Sequence, residues 1–257
     1  NGFDWVLHLL LADIELSRDE LADMAAGGLL MEIASRPLPR DLAVKPASPM
    51  AQMSAVVLAA GQSRRMGKIN KLTAVVAGKP VIRHVVDTVL EAGFKDIVVV
   101  LGYDEQVVSA CLEGLPVRFV KNEAFRSGQA SSVSAGIAAL DNNVSDVMVV
   151  LGDMPLLSAA LLNNLHHHHM RNPQHEQMIS LPVCLKDRER QVGHPVIWGR
   201  QFFTDLQALT GDQGGRQIWS DHPAIINQMD VEDATLFLDT DTAEALRRAE
   251  VLLLARN

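Results

Sequence analysis

The chain has 257 residues, 48% of them hydrophobic, and a formal net charge of −8, which suits a large α/β core and argues against a nucleic-acid-binding protein. Its apolar runs are much shorter than the roughly 18 residues of a membrane span, and no charged segment followed by an apolar one opens the chain as in a secretory signal. Cys111 and Cys184 have neither metal-site nor disulfide-framework spacing, which predicts a reducing, cytoplasmic compartment.

Residues 1–50 differ in composition from the remainder and are predicted to be an N-terminal extension and linker. Residues 4–11 and 17–24 have the amphipathic pattern of short helices, and Ser17 with Glu20 forms a capping box. The proline-rich residues 36–49 are typical of an extended linker. We therefore place the boundary of the main domain at residue 51.

From residue 54 onward, apolar strands and amphipathic helices alternate. Strands are predicted at residues 55–60, 97–101, 117–120, 147–151 and 178–182, and helices at residues 81–92, 105–113, 131–140 and 158–168. Such alternation predicts a mainly parallel sheet with right-handed crossovers. Because ligands of parallel sheets bind at the carboxyl ends of the strands, the loops after Leu58, Leu101 and Leu151 are expected on one rim.

The loop after the first strand has the composition of a phosphate-binding loop. Ala59, Ala60 and Gly61 are small enough for a ligand to approach the backbone closely. They are followed by the cations Arg64, Arg65, Lys68 and Lys71. A polyphosphate requires such charges together with backbone N–H donors. An ordinary strand-to-helix turn with solvated cations is the alternative.

Three further segments carry candidate site residues. Asp153 directly follows the buried strand 147–151, where a carboxylate can hold Mg²⁺; an N-cap of the next helix is the alternative. Ser131 and Ser132 precede a helical pattern, as in an anion site or a simple cap. His194 lies in a Gly-His-Pro segment, either as a substrate ligand or as a buried histidine with a backbone partner.

Several segments together carry a resemblance to a known family. LAAGQSRRMG, LGDMP, GHP, GDQGGR and the ending DTDTAEAL follow one another between residues 54 and 250. They resemble the MobA-like nucleotidyltransferases, and in particular the molybdenum cofactor cytidylyltransferases. The resemblance implies a three-layer, Rossmann-like α/β fold with a mainly parallel sheet and a strand or two reversed toward the C-terminal half.

The same resemblance implies roles for individual residues. Arg65 and Lys71 would hold the triphosphate, and Asp153 would be the Mg²⁺ ligand. Gly193, His194 and Arg216 would bind the second substrate, His194 and Arg216 through its phosphate. The nucleotide would contact the residues of the glycine- and serine-rich loops, namely Leu58, Ala59, Ala60, Gly61, Ser63, Gly102, Gly128, Ser131, Ser132 and Gly152.

The C-terminal motif departs from the family pattern. Ala243 stands in place of a proline and Ala245 in place of an aspartate. Asp239 is a candidate second metal ligand, which these departures put in doubt. Asp241 or Thr242 is expected to cap the final helix.

The function that the resemblance implies is transfer of a cytidylyl group from CTP to the phosphate of molybdopterin, with Mg²⁺ and release of pyrophosphate. LAAG, rather than the LAGG of the guanylyl branch, favours CTP. Alternatives are guanylyl transfer, another acceptor such as a sugar or polyol phosphate, or a non-catalytic nucleotide- or cofactor-binding module. If molybdopterin is the acceptor, a molybdoenzyme or its chaperone is expected as a partner.

Two segments remain outside this scheme. GGLLMEIASRPLPR, within residues 1–50, resembles the tail of a molybdopterin-binding module that some bacterial chains fuse ahead of a nucleotidyltransferase; a simple N-terminal extension is the alternative. The run of histidines at residues 166–169 is interpreted as a polar helix end. Adjacent side chains on a helix point in different directions, so only spaced pairs could chelate a metal.

Overall fold

A computed structural model describes residues 53–62, 70–186, 189–211, 215–220 and 223–256. The predicted N-terminal extension, and Ser63 and Arg65 of the phosphate loop, lie outside the described residues. None of the helices in these ranges combines the length and apolar content that a membrane-spanning helix requires. Cys111 and Cys184 are both free thiols.

Strands and helices alternate along the described chain, as the sequence predicts. The strands are β1 Met53–Ala59, β2 Val75–Val76, β3 Lys79–Pro80, β4 Ile97–Leu101, β5 Arg118–Lys121, β6 Asp146–Leu151, β7 Ile179–Lys186, β8 Glu189–Val192, β9 Val196–Gly199 and β10 Ile226–Asp230. The helices are α1 Val81–Glu91, α2 Glu105–Ala110, α3 Gln129–Ala138, α4 Ala159–Met170, α5 Phe203–Ala208, α6 Arg216–Ser220 and α7 Ala243–Arg256.

One mixed sheet forms the centre of the domain, in the order β10-β7-β9-β6-β1-β4-β5, with β8 paired to β7. β1, β4, β5 and β6 are mutually parallel, whereas β9 runs antiparallel to both β6 and β7. The predicted fold class is therefore confirmed, including the reversed strand in the C-terminal half. Leu58 pairs with Val100 on one side and Leu151 on the other, so three strands end at one rim.

The core lies on both faces of this sheet because side chains alternate along each strand. Ala55, Val57 and Ala59 pack in a cluster that includes residues of α1 and α4, whereas Val56 and Leu58 pack in a second cluster that includes residues of α3 and α5. Strands that are apolar on both faces require such a helical cover on each side. This alternation produces the three layers.

Most element boundaries differ from the predictions by one to four residues, and two of these differences are informative. Helix α3 begins at Gln129, two residues before the predicted start, because Gly128 adopts a φ of 118° that ends the preceding turn. Strand β7 continues past Pro182, at which the prediction stopped, to pair with β8 and β10. The hairpin to β8 carries no glycine turn signal in the sequence.

Candidate functional site

The loops after β1, β4 and β6 meet at the carboxyl edge of the sheet. The Gly152 amide donates to the Leu58 carbonyl at 3.0 Å, and the Tyr103 amide donates to the Ala60 carbonyl at 3.3 Å. These bonds extend the sheet pairing beyond the ends of the strands. The expectation that the three loops share one rim is therefore confirmed.

Lys71 lies at this rim between two acidic side chains. Its ammonium donates to Asp153 and to Asp241, and its side chain is only 13% exposed. Burial by itself would lower the pKa of Lys71, but the charges and hydrogen bonds of Asp153 and Asp241 outweigh burial and raise it. Lys71 is therefore a fixed cation at neutral pH.

Local hydrogen bonds hold Lys71 in place. The neighbouring Asn70 is buried, and its side-chain oxygen accepts from the Leu72 amide at 3.0 Å. Leu72 is itself buried in the core. The buried residues on either side of Lys71 therefore anchor its backbone beside the rim.

The C-terminal segment contributes the second carboxylate. The buried Thr240 donates to the Asp153 carbonyl through its amide and its hydroxyl, both at 3.0 Å. Thr242 caps α7, since its hydroxyl accepts from the Ala245 amide at 3.1 Å, which confirms the cap expected at Asp241 or Thr242. Asp241 instead pairs with Lys71, a role that the sequence analysis missed.

Asp153 is not a helix cap. The helix that follows, α4, is capped by Ser158, which accepts from the Leu161 amide at 3.2 Å. Asp153 Oδ1 is buried and has no hydrogen-bond partner among the described residues. A buried carboxylate oxygen without a protein partner fits a ligand from outside the chain.

Asp239 completes an acidic cluster with Asp153 and Asp241. Although Asp239 remains exposed at the cavity wall, partial desolvation of its carboxyl, followed by the charges of Asp241 and Asp153, raises its pKa. Carboxylate oxygens are the ligands that Mg²⁺ prefers, usually one or two of them together with phosphate oxygens of a substrate. Asp153, with its orphaned oxygen, therefore fits as a ligand of a hard divalent cation, and Asp239 can supply a second carboxylate.

A cavity of about 510 Å³ opens beside this cluster; we call it the donor cavity. Lys71, Asp153, Asp239 and Asp241 contribute to its wall. The other predicted residues that line it are Leu58, Ala60, Gly61, Gly128 and Ser132. Its polar, cation-containing wall and its size suit a nucleotide triphosphate.

Four predicted nucleotide-binding residues are absent from the described lining. Gly102 and Gly152 permit close backbone packing, since an added Cβ would lie 2.7 Å from Ala60 Cβ and 2.8 Å from the Leu58 carbonyl, respectively. Ser131 lies inside α3, where its hydroxyl donates to the Gly128 carbonyl at 2.8 Å. Ala59 is fully buried in the core.

A second cavity of about 240 Å³ adjoins the first; we call it the acceptor cavity. The two share Leu58 and Gln129 as lining residues. Gly193, His194 and Arg216, which the resemblance assigns to the second substrate, all line the acceptor cavity. The structure therefore brings these residues together, although residues 212–214 of the same segment lie outside the described chain.

Two tryptophans form an aromatic wall of the acceptor cavity. The rings of Trp198 and Trp219 stack with centroids 5.8 Å apart and planes 17° apart. An added Cβ at Gly215 would meet the Trp198 ring at 2.2 Å, so glycine is required there. No motif marked these tryptophans; their rarity, three in the chain, was the only available signal.

His194 is electrically neutral in this cavity. Burial lowers its pKa to about 4, against the opposing effects of the Asp153 charge and a hydrogen bond with the Val149 backbone. At pH 7 it can therefore offer a hydrogen bond to a substrate but no positive charge. Arg216, at the start of α6, is the charged group of the predicted pair.

Comparisons with known proteins place the chain in a family. The model of the MobA-like NTP transferase domain matches residues 55–225. The bifunctional protein GlmU of Syntrophomonas wolfei is 36% identical over 132 residues, which cover 51% of this chain and only 29% of that protein. The nicotine blue oxidoreductase of Paenarthrobacter nicotinovorans is 28% identical over 197 residues, which cover 76% of this chain and 95% of that protein.

Solved structures share the fold. Rv0371c from Mycobacterium tuberculosis has a TM-score of 0.66 at 26% identity over 78% of this chain and 98% of that one. The same protein has also been solved as a complex with manganese, with a TM-score of 0.62 at 25% identity over 78% of this chain and 99% of that one. A nucleotidyl transferase from Methanothermobacter superposes with a TM-score of 0.69 at 23% identity over 80% of this chain and 99% of that one.

Proposed function

Because this chain belongs to the MobA-like NTP transferase domain family, we propose that it transfers a cytidylyl group from CTP to the phosphate of molybdopterin and releases pyrophosphate. The observation that carries the proposal is the adjacency of the two cavities. One holds Lys71 with a cluster of carboxylates, and the other has a tryptophan wall and Arg216. A donor and an acceptor can thus meet near their shared residue Gln129.

On the donor side, Lys71 would leave part of its ion pair with Asp153 and Asp241 to donate to the triphosphate. Asp153 and Asp239, with Asp241 beside them, would hold Mg²⁺, which neutralises charge on phosphate oxygens when bound. Arg65, which the resemblance assigns to the triphosphate, would add a second cation. Phosphoryl-type transfer depends on such positioning and charge, so no side-chain nucleophile is required.

On the acceptor side, Trp219, which is partly exposed and is supported from behind by the buried Trp198, suits a planar heterocycle such as a pterin, since aromatic rings favour offset stacking. Arg216 suits its phosphate, because a guanidinium binds phosphate oxygens through paired hydrogen bonds. A phosphate oxygen of the acceptor would form a bond to the α-phosphorus of CTP. The bond from that phosphorus to the bridging oxygen would break, and the electron pair would leave with pyrophosphate.

Pyrophosphate release with each of the four NTPs, with and without molybdopterin, tests this proposal. We expect acceptor-dependent release with CTP alone, and its loss in Asp153→Ala. Lys71→Met should lower kcat by roughly 10²–10³-fold, the usual effect of removing one preorganised charge-stabilising donor. Lys79→Met is the matched control, because Lys79 is 55% exposed and pairs with Asp87 outside the lining of both cavities.

Each of the other outcomes would indicate a different function. Release with GTP in place of CTP would indicate guanylyl transfer. Release only with a sugar or polyol phosphate would replace the acceptor and keep the donor chemistry. Tight CTP binding without any release would leave a non-catalytic binding module and overturn the proposal.

A further inference from the structure

A second group of polar side chains lies at the opposite, amino edge of the sheet. Asp146 begins β6, His169 lies in the last turn of α4, and His175 follows in a short 3₁₀ helix, His175–Gln177. His169 Nε2 lies 2.9 Å from Asp146 Oδ1, and His175 Nδ1 lies 3.1 Å from the same oxygen. We call these residues the amino-edge triad.

The triad is buried and negatively charged at its centre. Asp146 is 1% exposed and His169 is fully buried. Burial would raise the pKa of Asp146, but hydrogen bonds with His169, Ser145 and His175 outweigh it and lower the pKa. The carboxylate is therefore ionised, in an interior where an uncompensated charge is costly. This corrects the interpretation of residues 166–169 as a polar helix end, because His166 is buried as well.

The atoms that face away from the triad are also fixed. His169 Nδ1 lies 2.8 Å from Ser180 Oγ, and Ser145 donates to Asp146 Oδ2 at 2.7 Å. Outer hydrogen bonds of this kind set the orientation of imidazole and carboxylate ligands in metal sites. His175 keeps a partly exposed side chain, 20%, which leaves an approach from solvent.

We propose that Asp146, His169 and His175 bind one divalent first-row transition ion, with Zn²⁺ as the best match. Their ligand atoms all lie within 4.8 Å of one another, and two imidazole nitrogens with one carboxylate oxygen form a typical zinc donor set. Water can supply the fourth position on the side of His175. The ion would join the end of α4 and the His175 segment to the start of β6.

The rival explanation is that hydrogen bonds alone satisfy the triad. A Zn²⁺-binding measurement distinguishes hydrogen bonding alone from metal binding. The untagged chain is first stripped with EDTA and then kept in excess Mg²⁺, which saturates oxygen-rich sites. We expect the protein to retain one equivalent of Zn²⁺ after desalting, as measured by plasma mass spectrometry. When Co²⁺ replaces Zn²⁺, we expect the visible absorption spectrum of a Co²⁺ ion with few ligands, all nitrogen or oxygen. His175→Ala should weaken Zn²⁺ binding by more than roughly 100-fold, since outer partners alone contribute roughly 10–100-fold.

Matched variants separate this site from its neighbours. His167→Ala changes an exposed histidine of the same run and should bind Zn²⁺ as the wild type does, as should Asp153→Ala at the other edge. Ser180→Ala, which keeps every ligand, should lose roughly 10–100-fold in affinity. Circular dichroism checks that each variant is folded.

Three results would overturn the proposal. The first is a wild-type protein that retains neither Zn²⁺ nor Co²⁺. The second is a folded His175→Ala protein with unchanged affinity. The third is loss of binding in His167→Ala, which would assign the ion to chelation by the exposed part of the histidine run.

Discussion

At the level of single residues, three carboxylates line the donor cavity, those of Asp153, Asp239 and Asp241. Asp153 and Asp241 pair with Lys71, whereas Asp239 lies beside them with a raised pKa. Like charges at short range destabilise the folded protein. Such a cost is consistent with the proposed cation site, since function and stability compete at binding sites.

Asp239→Asn should therefore stabilise the cation-free protein at pH 7. The folded pKa of Asp239 lies above its ordinary value of 3.8. The free energy of unfolding of the wild type therefore decreases as the pH rises from 3.8 through the folded pKa, and the variant, which has no carboxyl at this position, avoids that decrease. The gain should stay below about 1 kcal/mol, because solvent screens this exposed side chain. It should vanish below pH 3.8, the ordinary value of the carboxyl.

Thermal unfolding at several pH values, without and with Mg²⁺, measures this effect. Saturating Mg²⁺ should reverse the order, because a cation that binds only the folded state stabilises the wild type more than a variant lacking one ligand. If Mg²⁺ raised the melting temperatures of both proteins equally, Asp239 would not be a ligand.

The site residues that the sequence could identify are those whose position in the fold follows from the end of a predicted strand. Asp153 directly follows a buried apolar strand, and the segment of Lys71 follows another, so parallel pairing predicts one rim for both. Only the resemblance to the family singled out Lys71 among the cations of its segment. Asp241 lies 170 positions from Lys71, and no local pattern indicates which carboxylate of its segment turns inward. Trp198 and Trp219 were missed for the same reason, since their stacking depends on tertiary packing.

At the level of elements, α3 packs unusually close to the sheet. A Cβ added at Gly136 would lie 2.4 Å from Val56 Cγ1 and 3.1 Å from Val100 Cγ2. Both valines are fully buried, so neither can move without disturbing the core. Helix α3 therefore requires a very small residue at position 136, where it packs against β1 and β4.

Overpacking in Gly136→Ala should cost about 1–3 kcal/mol, and the better helix propensity of alanine should offset ~1 kcal/mol of it, so we expect a net destabilisation of up to about 2 kcal/mol. Urea unfolding of this variant, of Val56→Ala and of the double variant measures the steric term directly. The double variant should be more stable than the sum of the single effects predicts, by at least about 0.5 kcal/mol. Additive effects would exclude a steric clash with Val56.

Secondary-structure prediction succeeded where the apolar pattern is long. It failed where a strand is defined by its pairing with a distant segment. The valine-rich β4 matches its prediction at both ends, Ile97–Leu101. The β7–β8 hairpin was missed because Pro182 suggested an end to the strand. Neither the pattern of β9 nor that of its neighbours indicates its antiparallel direction; only the resemblance to the family implied a reversed strand in this half of the chain.

At the level of the whole molecule, β6 links two chemically different sites. The amino-edge triad contains its first residue, Asp146, and the donor cavity receives Asp153 just after its last, Leu151. At about 3.3 Å per residue, the strand separates the two sites by roughly 20 Å. One site offers imidazole nitrogens and the other carboxylates, so they should select different cations.

A double-mutant cycle of Asp239→Asn and His175→Ala tests whether the two edges act independently. Sites more than about 7–10 Å apart without shared partners usually contribute additively, within about 0.3–0.5 kcal/mol. We expect additive changes in the free energy of unfolding, measured in urea with Zn²⁺ and without Mg²⁺. A coupling energy above about 1 kcal/mol would contradict this independence and show that the two edges are energetically linked through the core between them.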